Sequence, residues 1–490
     1  MAGPYKTLPS STLGEEQPLM SRPIGPVERY YLCRLSMGYC NNGFSLAARF
    51  NRPVDDVLLS NALRLMILKN PVFSLNFFRH KEGDRQHNGD NFVVRSVSKI
   101  AYDQVVQPLE AGSFGSELAE SLAAEVLPLD VDRPTWKIYN LKLNNNEPSA
   151  LIFVCNHIFF DGNAGANVFD ELLYCFDEVE KNLPKTVRTQ LFNAETDNLA
   201  PQPASDKVAP LYDTPTFYMI KTLLLEIFLP HFIVHFFQVL FSSSTPNTYR
   251  YPVFNPVGPK KFNHSGFRLL AFTPQETSQL LARCKQNGLT LTPYIGACAH
   301  AAAQDYLIPY ANVLQGYKPD QGRSLNVPIA LCGRRFVPEH AIQSRFGLYM
   351  SQTLPFVPQE LNTVKKVGDS LKESLDKAMT SRDPFKFAGM LRWVNIWDWF
   401  KDELKNPDAR GGLEISNIGC KRFARGQWEV TDIIFTQGVS TSHLTLSVVS
   451  TPKGGLHLTI ANVDDMEMWE NDGKKVMDEY ASSFKSYLLS

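Results

Sequence analysis

The segment His157-Ile158-Phe159-Phe160-Asp161-Gly162 holds the residues that are best suited to chemistry. A neutral imidazole has an ordinary pKa of about 6.5 and can take a proton from a hydroxyl or amine at neutral pH. The His-to-Asp spacing alone is common by chance, but Gly162 makes the pattern rarer and would let a turn close. We interpret His157 as a candidate general base and Asp161 as a supporting carboxylate. The competing interpretation is a structural histidine that caps a strand.

The elements predicted around His157 would place it at the end of a buried strand. Residues 149–156 (SALIFVCN) form a short apolar run typical of such a strand. In the following segment apolar residues recur at helical spacing: Val168, Phe169, Leu172, Leu173, Phe176 and Val179. Of the ten histidines, only His157 has both a predicted buried strand before it and a predicted amphipathic helix after it. The sequence therefore predicts a strand-to-helix turn that projects the imidazole into a cleft.

Local signals predict the other elements as well. A helix is expected to open at Pro53 and end at Asn70-Pro71, with a strand over 72–78 after it. Thr273-Pro274-Gln275-Glu276 is a capping box whose helix should end at Gly288. Further strands are predicted at 136–143, 325–331, 347–354, 412–416, 430–435, 444–450 and 456–460, a small-residue helix at Thr292-Pro293, and a helical tail. This mixed order lacks βαβ alternation and favours α+β layers over a doubly wound sheet.

The length of the chain predicts two halves that share a cleft. At 490 residues it exceeds the size at which one hydrophobic core stops growing. Residues 184–215 are rich in Pro, Asn and Asp and are typical of a surface connection. We predict an N-terminal half over 1–205 that carries the histidine motif, a connecting segment over 206–259, and a C-terminal half over 260–490.

Composition narrows the classes of partner and site. With 49 basic and 50 acidic residues the net charge is -1, which argues against a nucleic-acid partner. The eight cysteines form no C-x-x-C pair and no cluster with histidine at zinc-ligand spacing, so we predict no metal site and thiols of a reducing compartment. The first 22 residues lack an apolar signal core, so we expect the chain on the cytoplasmic side of membranes.

One apolar stretch, residues 217–241, is close to the length that crosses a bilayer. Lys221, Glu226 and Pro230 interrupt it, and four further polar residues fall on one helical stripe, which argues against a simple span: His231, His235 and Gln238, continued by Ser242. Two interpretations stay open, a helical pair lying in the headgroup layer and a helix packed on the protein's own core. The first predicts peripheral association with the endoplasmic reticulum or lipid droplets.

Six ordered motifs run along the chain: RPTWKIYNL (133–141), CNHIFFDGNAG (155–165), NGLTLTPYIGAC (287–298), LNVPIALCGRRFVP (325–338), RGGLEISNIG (410–419) and TDIIFTQG (431–438). They resemble the yeast alcohol O-acetyltransferase family, which belongs to the HxxxD acyl-CoA-dependent acyltransferases together with plant acyltransferases, condensation domains and chloramphenicol acetyltransferase. The DFGWG segment of the plant enzymes is absent, and of the yeast WRLICLP string only Trp136-Lys137-Ile138 is similar. The acceptor could therefore differ from short fusel alcohols.

The resemblance implies a fold and a co-substrate. The expected fold is an α/β protein with mixed sheets, built from two pseudo-symmetric halves like chloramphenicol acetyltransferase with the active-site tunnel between them. Acetyl-CoA would enter from one face as co-substrate and the acceptor from the other, and no cofactor would be bound permanently. We expect a monomer.

The resemblance also implies roles for particular residues. His157 would act as the base, and Asp161, beside Gly162, would pair with an arginine from the second half. Arg334 is the first choice for this partner and Arg335 the second. That pair would clamp the halves together.

Donors for the oxyanion and for coenzyme A are less well defined. The oxyanion or acyl-CoA candidates are Asn417, Ser440, Thr441 and Ser442, the serine-threonine run being similar to that of carnitine acyltransferases. Polar residues at a strand end are the alternative interpretation. Lys421, Arg422 and Arg425 are candidates for the phosphates of coenzyme A or, alternatively, a solvated basic turn.

Three functions are compatible with these residues. The first is an alcohol O-acetyltransferase that makes an acetate ester from a small or lipophilic alcohol. The second is an N-acetyltransferase that acts on a lipophilic amine such as a sphingoid base, because one base can serve either nucleophile. The third is a non-catalytic lipid-binding or membrane-tethered protein of the same fold, which the intact motif disfavours.

Overall fold

The computed structural model describes residues 20–38, 42–79, 89–111, 113–143, 150–182, 184–208, 210–223, 264–338, 345–405, 411–440 and 442–490. The strands of these residues, in chain order, are β1 (Ser21–Arg22), β2 (Gly43–Phe50), β3 (Leu75–Arg79), β4 (Phe92–Ser96), β5 (Lys99–Ala101), β6 (Val106–Ala111), β7 (Trp136–Leu143), β8 (Ala150–Asn156), β9 (Gln190–Asn193), β10 (Ser265–Phe272), β11 (Leu325–Asn326), β12 (Ile329–Cys332), β13 (Met350–Thr353), β14 (Phe356–Val357), β15 (Gly411–Cys420), β16 (Ala424–Arg425), β17 (Trp428–Gln437), β18 (Ser442–Thr451), β19 (Gly455–Val463), β20 (Glu470–Asn471) and β21 (Lys474–Lys475).

The helices of the same residues are α1 (Pro26–Ser36), α2 (Asp56–Lys69), α3 (Tyr102–Val105), α4 (Ser116–Ala123), α5 (Gly162–Asn182), α6 (Ala194–Asp197), α7 (Ser205–Val208), α8 (Thr216–Leu223), α9 (Pro274–Gln286), α10 (Leu291–Ala302), α11 (Ile308–Leu314), α12 (Val364–Ser381), α13 (Asp383–Met390), α14 (Ile396–Lys405) and α15 (Val476–Leu489). Two mixed sheets of six strands each form the framework that these helices cover.

The first sheet has the order β16-β17-β2-β8-β7-β6. Its central strand β8 is buried along its whole length because both of its faces are covered. Leu151, Phe153 and Cys155 join the core that includes α2 and α5, whereas Ile152 and Val154 face a smaller cluster with α4. Double coverage explains the continuous apolar run in the sequence and confirms the strand predicted before His157.

The second sheet has the order β10-β19-β18-β15-β12-β13, with β15 parallel to both β12 and β18. The small-residue helix α10 lies close to this sheet. A Cβ atom on Gly296 would come within 2.7 Å of Leu371 in α12 and 2.8 Å of Ile415 in β15. The absence of side-chain volume is what allows this close approach.

Two strands of the C-terminal sequence, β16 and β17, complete the sheet of the N-terminal half. β17 pairs antiparallel with β2, so that Gln437 lies opposite Phe44 and Ile433 opposite Ala48. The two halves are therefore joined by backbone hydrogen bonds as well as by side chains. The boundaries at 205 and 260 stay a prediction. Strands from both sides of these boundaries pair within the first sheet.

Four predicted elements differ from the structure in their bounds. The strand expected over 347–354 begins only at Met350, and the strand expected over 325–331 is divided into β11 and β12. Two further elements start later than expected. The helix expected from Pro53 begins at Asp56, because the side chain of Asp55 accepts the backbone N–H of Leu58 at 2.8 Å and caps it there. The strand expected over 72–78 opens with a 3-10 turn, Pro71–Ser74, and becomes extended only at Leu75, since proline lacks the N–H that a strand ladder uses. The capping box at Thr273 and the helix end at Gly288 are confirmed.

The apolar stretch 217–241 is described only in part. α8 covers its beginning, and residues 224–241, including His231, His235 and Gln238, lie outside the described residues. Within the described ranges, no helix combines the length and apolar character needed to cross a membrane.

Candidate active site

A cavity of about 580 Å³ is lined by residues of both halves. Part of the lining comes from α1 and from the turn between β8 and α5, and another part from β12, β13 and β15. Aromatic and aliphatic side chains such as Tyr31, Leu331 and Phe400 line it together with many polar and charged ones. A concave cavity that combines apolar walls with placed polar groups is typical of a ligand site.

His157 borders this cavity on the turn that leads from β8 into α5. Its backbone N–H donates to the carbonyl oxygen of Asn42 at 2.8 Å. Its ring stacks on Tyr31, with ring centroids 4.5 Å apart and planes 10° apart, and contacts Phe44 at 5.1 Å. Backbone and ring contacts together hold the imidazole in one orientation.

The two ring nitrogens of His157 differ in their surroundings. Nδ1 is shielded from solvent, and no other described residue is a hydrogen-bond partner to it. Nε2 is therefore the nitrogen suited to reach a bound molecule. Burial lowers the pKa of His157 to about 4; Asp161 raises it, Arg34 lowers it, and the residue's own carbonyl raises it slightly. The imidazole is neutral at neutral pH and can accept a proton.

Asp161 is held by donors on three sides. Its Oδ1 accepts the N–H of Ala164 at 2.8 Å, which caps α5, and its Oδ2 accepts the N–H of Tyr349 at 2.9 Å. Nη1 of Arg334 donates to both oxygens, at 2.8 and 2.7 Å. Within the described part of the chain no hydrogen bond joins Asp161 to His157, so the carboxylate orders the turn rather than the ring.

Arg334 connects this turn to the second half. Its Nη2 donates to the carbonyl of Gly347 at 3.1 Å, and its guanidinium lies over the ring of Tyr349 at 4.9 Å. Arg335, the second choice in the sequence, lies over the ring of Phe336 instead. Of the two expected arginines, the structure thus places Arg334 on Asp161.

Gly162 is required for space and not for an unusual backbone angle. Its φ angle is not positive. A Cβ atom there would lie 2.8 Å from Cγ2 of Ile418 in β15 and 3.4 Å from the ring of Phe435 in β17. The expectation that glycine closes the turn is therefore corrected: it lets two strands of the C-terminal sequence approach the start of α5.

The expected oxyanion donors are in unequal positions. Asn417 borders the cavity; its amide donates to Oγ1 of Thr292 at 3.1 Å, which leaves a second N–H. Ser440 also borders the cavity, but its single O–H is donated to Glu414. Ser442 is buried and its Oγ has no partner among the described residues. Thr441 lies outside the described residues.

The basic residues after β15 differ in their exposure to solvent. Arg422 and Arg425 are exposed, in keeping with a solvated turn. Lys421 is half-buried, and its Nζ donates to Oδ1 of Asn163 at 2.6 Å. Burial lowers the pKa of this lysine to about 8, and the positive charge of Arg334 acts in the same direction. For Lys421 the expectation of a solvated turn was wrong.

Sequence reasoning missed the contribution of the first helix. Tyr31 and Arg34 of α1 line the cavity, and Asn42 holds the helix by donating to the carbonyl of Tyr31 at 2.7 Å while its own carbonyl binds His157. Glu414 of β15 also lines the cavity. No motif in the sequence marks Tyr31, Arg34 or Asn42. For Glu414 the available signal was only that it lies in RGGLEISNIG, one of the segments that carry the resemblance.

The sequence model of the alcohol acetyltransferase family matches residues 23–484. The chain belongs to the alcohol acetyltransferase family. It is therefore an acyltransferase, with an acyl-CoA as co-substrate and a separate acceptor.

Two curated relatives from Saccharomyces cerevisiae extend over nearly the whole chain. Alcohol O-acetyltransferase 2 is 26% identical and covers 94% of this chain and 96% of its own. N-acetyltransferase SLI1 is 23% identical and covers 96% of this chain and 99% of its own. The membership expected from the sequence motifs is confirmed.

Solved structures of the same architecture are similar over nearly the whole length. The TRI3 trichothecene 15-O-acetyltransferase of Fusarium sporotrichioides has a TM-score of 0.60 at 13% identity and covers 96% of this chain and 94% of its own. The first condensation domain of the CDA synthetase has a TM-score of 0.58 at 12% identity, with 97% of each chain covered. These likenesses confirm the predicted fold class, two pseudo-symmetric halves like chloramphenicol acetyltransferase with mixed sheets.

Proposed function

We propose that this protein is an alcohol O-acetyltransferase that transfers acetyl from acetyl-CoA to the hydroxyl of a lipophilic acceptor. The observation that carries the proposal is the state of His157. A neutral imidazole, with one nitrogen shielded and the ring clamped by Tyr31, borders a largely apolar cavity. Such a group can take the proton of a hydroxyl that lies against it.

The chemistry then needs few further groups. His157 accepts the hydroxyl proton as the oxygen forms a bond to the thioester carbon, and the carbonyl oxygen becomes negative. Asn417, with one unused amide N–H, is our candidate donor to that oxygen. The carbon–sulfur bond breaks as the tetrahedral species collapses, and the imidazolium returns the proton to the thiolate. Acetate ester and free thiol result.

The low pKa of His157 determines when the imidazole becomes protonated during the reaction. Burial disfavours the imidazolium in the resting protein, whereas a developing oxyanion nearby would favour it. Protonation is thereby coupled to the reaction step. Asp161 supports the imidazolium at longer range without taking the proton.

The test measures free thiol release by purified protein from acetyl-CoA with a panel of short alcohols, long-chain alcohols and sterols. His157→Ala should lower turnover by about 10²–10⁴-fold because it removes the base. The matched control is His300→Ala, which removes another buried histidine whose pKa burial also lowers to about 4, but which does not line the cavity. Turnover by His157→Ala at the level of the control would refute the mechanism.

A second acceptor class has a specific observation in its favour. One of the two curated relatives is named an N-acetyltransferase and is similar over 96% of this chain. Since a neutral base can serve an amine as well as a hydroxyl, the panel includes long-chain amines and sphingoid bases. A higher kcat/KM with amines than with matched alcohols would assign the protein to that class.

We further propose that the protein contacts a lipid surface from the cytoplasmic side, on the endoplasmic reticulum or lipid droplets. α8 exposes Phe217 (80%) and Ile220 (49%) beside Tyr218, which borders the cavity. An apolar acceptor could then enter directly from lipid. Phe217→Ser should reduce co-sedimentation with phosphatidylcholine vesicles, whereas Met468→Ser, which removes an equally exposed side chain (81%) away from the cavity lining, should not. Equal sedimentation of both variants would exclude contact through α8.

We also propose that the active unit is a monomer, because both parts of the cavity lining come from one chain. Light scattering should give a mass near 55.2 kDa at the concentration of the activity assay. A dimer mass at that concentration would contradict this.

A further inference from the structure

Glu414 is a half-buried acidic side chain in the cavity that the proposed chemistry does not use. It lies on β15 and borders the cavity. Its Oε2 accepts the hydroxyl of Ser440 at 2.9 Å. Burial raises the pKa of this carboxyl above its ordinary value, although the Ser440 hydrogen bond and the nearby Arg34 both lower it. A carboxylate placed in a largely apolar cavity costs free energy unless a donor satisfies it.

The position of Glu414 along β15 places it away from the start of α5. Ile418, on the same strand, lies against Gly162 at the start of α5. Glu414 borders the cavity, as do Asn417 and Ile418, whereas Leu413 and Ile415 are fully buried in the core. Four residues of strand separate Glu414 from Ile418 by about 13 Å. The carboxyl therefore lies in the cavity that His157 borders, but away from Gly162.

The charge around Glu414 selects the kind of group that would bind there. The guanidinium of Arg34 lies over the rings of Tyr30 and Tyr31, at 5.4 and 5.3 Å, and is close enough to lower the pKa of the Glu414 carboxyl. A positive charge is thus already present beside the carboxyl, so a cationic group would meet repulsion. A neutral hydroxyl can donate to the carboxylate without that cost.

We propose that Glu414 forms a subsite for a second hydroxyl of the acceptor, apart from the hydroxyl that is acetylated. This rests on the proposed alcohol acetyltransferase function and narrows its substrate class to lipophilic alcohols with two hydroxyls. Apolar side chains of the cavity lining, such as Tyr31 and Phe400, would contact the skeleton between the hydroxyls, and the Glu414 carboxyl would set its direction.

The test compares α,ω-diols from hexane to dodecane with mono-alcohols one carbon longer, which match them in size but replace the distant hydroxyl by a methyl group. The wild-type protein should favour the diol in kcat/KM, mainly through KM, by roughly threefold to a hundredfold at the best length, the range expected for a hydrogen bond to a neutral or an ionised carboxyl. The kcat/KM of each diol is divided by two before the comparison, because either end of a diol can react. The length of the preferred diol measures the distance between the two sites.

Three variants separate recognition from support of the fold. Glu414→Leu should abolish the preference for the diol, and Glu414→Gln, which keeps the shape and an oxygen for Ser440, should reduce it. Ser440→Ala removes only the hydrogen bond to the carboxylate and should preserve the preference. Should Glu414→Leu fail to fold, Glu414→Gln still reports on the preference.

Two results would overturn the subsite. One is turnover of diols and mono-alcohols by the wild-type protein with equal kcat/KM. The other is an unchanged preference in the Glu414 variants together with the same fall in Tm as in Ser440→Ala, which would make Glu414 a structural residue. Absence of turnover with every alcohol would instead refute the proposed function, and the subsite with it.

Discussion

The ion pair between Asp161 and Arg334 gives the sharpest test of how the site is held. The side chains are 5% and 16% exposed, so the pair is largely shielded from water. Asp161→Asn keeps an oxygen that can accept from Ala164 but removes the charge that balances Arg334. Breaking a buried pair by removing one partner costs about 3–5 kcal/mol. We expect a loss of roughly 3 kcal/mol, at the lower end, because the amide preserves part of the hydrogen bonding.

The companion variant is Arg334→Met, which leaves the Asp161 carboxylate with its two backbone donors. If the cost of each single change comes mainly from the charge left behind, the double variant should be less destabilised than the sum of the two. Coupling energies between contacting residues are about 0.5–3 kcal/mol, and we expect the upper part of that range. The difference between the summed losses of the single variants and the loss in the double variant is the interaction free energy of the pair itself.

The assay is urea unfolding followed by two probes, to check that the transition is two-state, together with kcat/KM of each variant. Activity should fall in both single variants because the turn that carries His157 is no longer clamped to the second half. A coupling energy within about 0.5 kcal/mol of zero would contradict the clamp, since that is the limit within which independent sites add. So would an Asp161→Asn protein with unchanged midpoint and lost activity, which would point to a role in proton transfer.

Two further outcomes follow from the site. Because burial lowers the pKa of His157 and of His300 to about 4, the unfolded chain binds more protons than the folded one between pH 4 and about 6.5. The free energy of unfolding should therefore fall as pH drops through that window and level off below it. In the His157→Ala and His300→Ala variants the urea midpoint should depend less steeply on pH, and an unchanged slope would contradict burial of these rings. Gly162→Ala should cost about 1–3 kcal/mol by overpacking against Ile418, and less when it is made in an Ile418→Ala background. An equal fall in Tm in both backgrounds would show that space at this position is not limiting.

Much of the local structure around the site could be predicted because it depends on short-range pattern. The strand before His157 was readable from a continuous apolar run, since β8 is covered on both faces. The helix after it followed from the spacing of its apolar residues, and the helix from Pro274 from its capping box. Each of these signals concerns residues within one element, where the spacing of side chains is fixed by the backbone geometry.

The errors arose where two local signals competed. The proline at position 53 predicts a helix start there, whereas Asp55 supplies the cap two residues later. At Pro71 the apolar pattern of a strand was correct from Leu75 onward, but the preceding residues turn first. Element ends are set by one or two hydrogen bonds, which the hydrophobic pattern does not encode.

The sequence by itself determined the family, the motif residues His157 and Asp161, and the elements that flank them. Only the tertiary structure decided what surrounds them: which of two arginines reaches Asp161, that β17 crosses into the first sheet, that Tyr31 stacks on the imidazole, and that Glu414 faces the same cavity. Arg334 is separated from Asp161 by 173 residues. The periodicity of a segment shows which face is buried but not which distant segment covers it, so contacts of this kind are settled only when the halves pack.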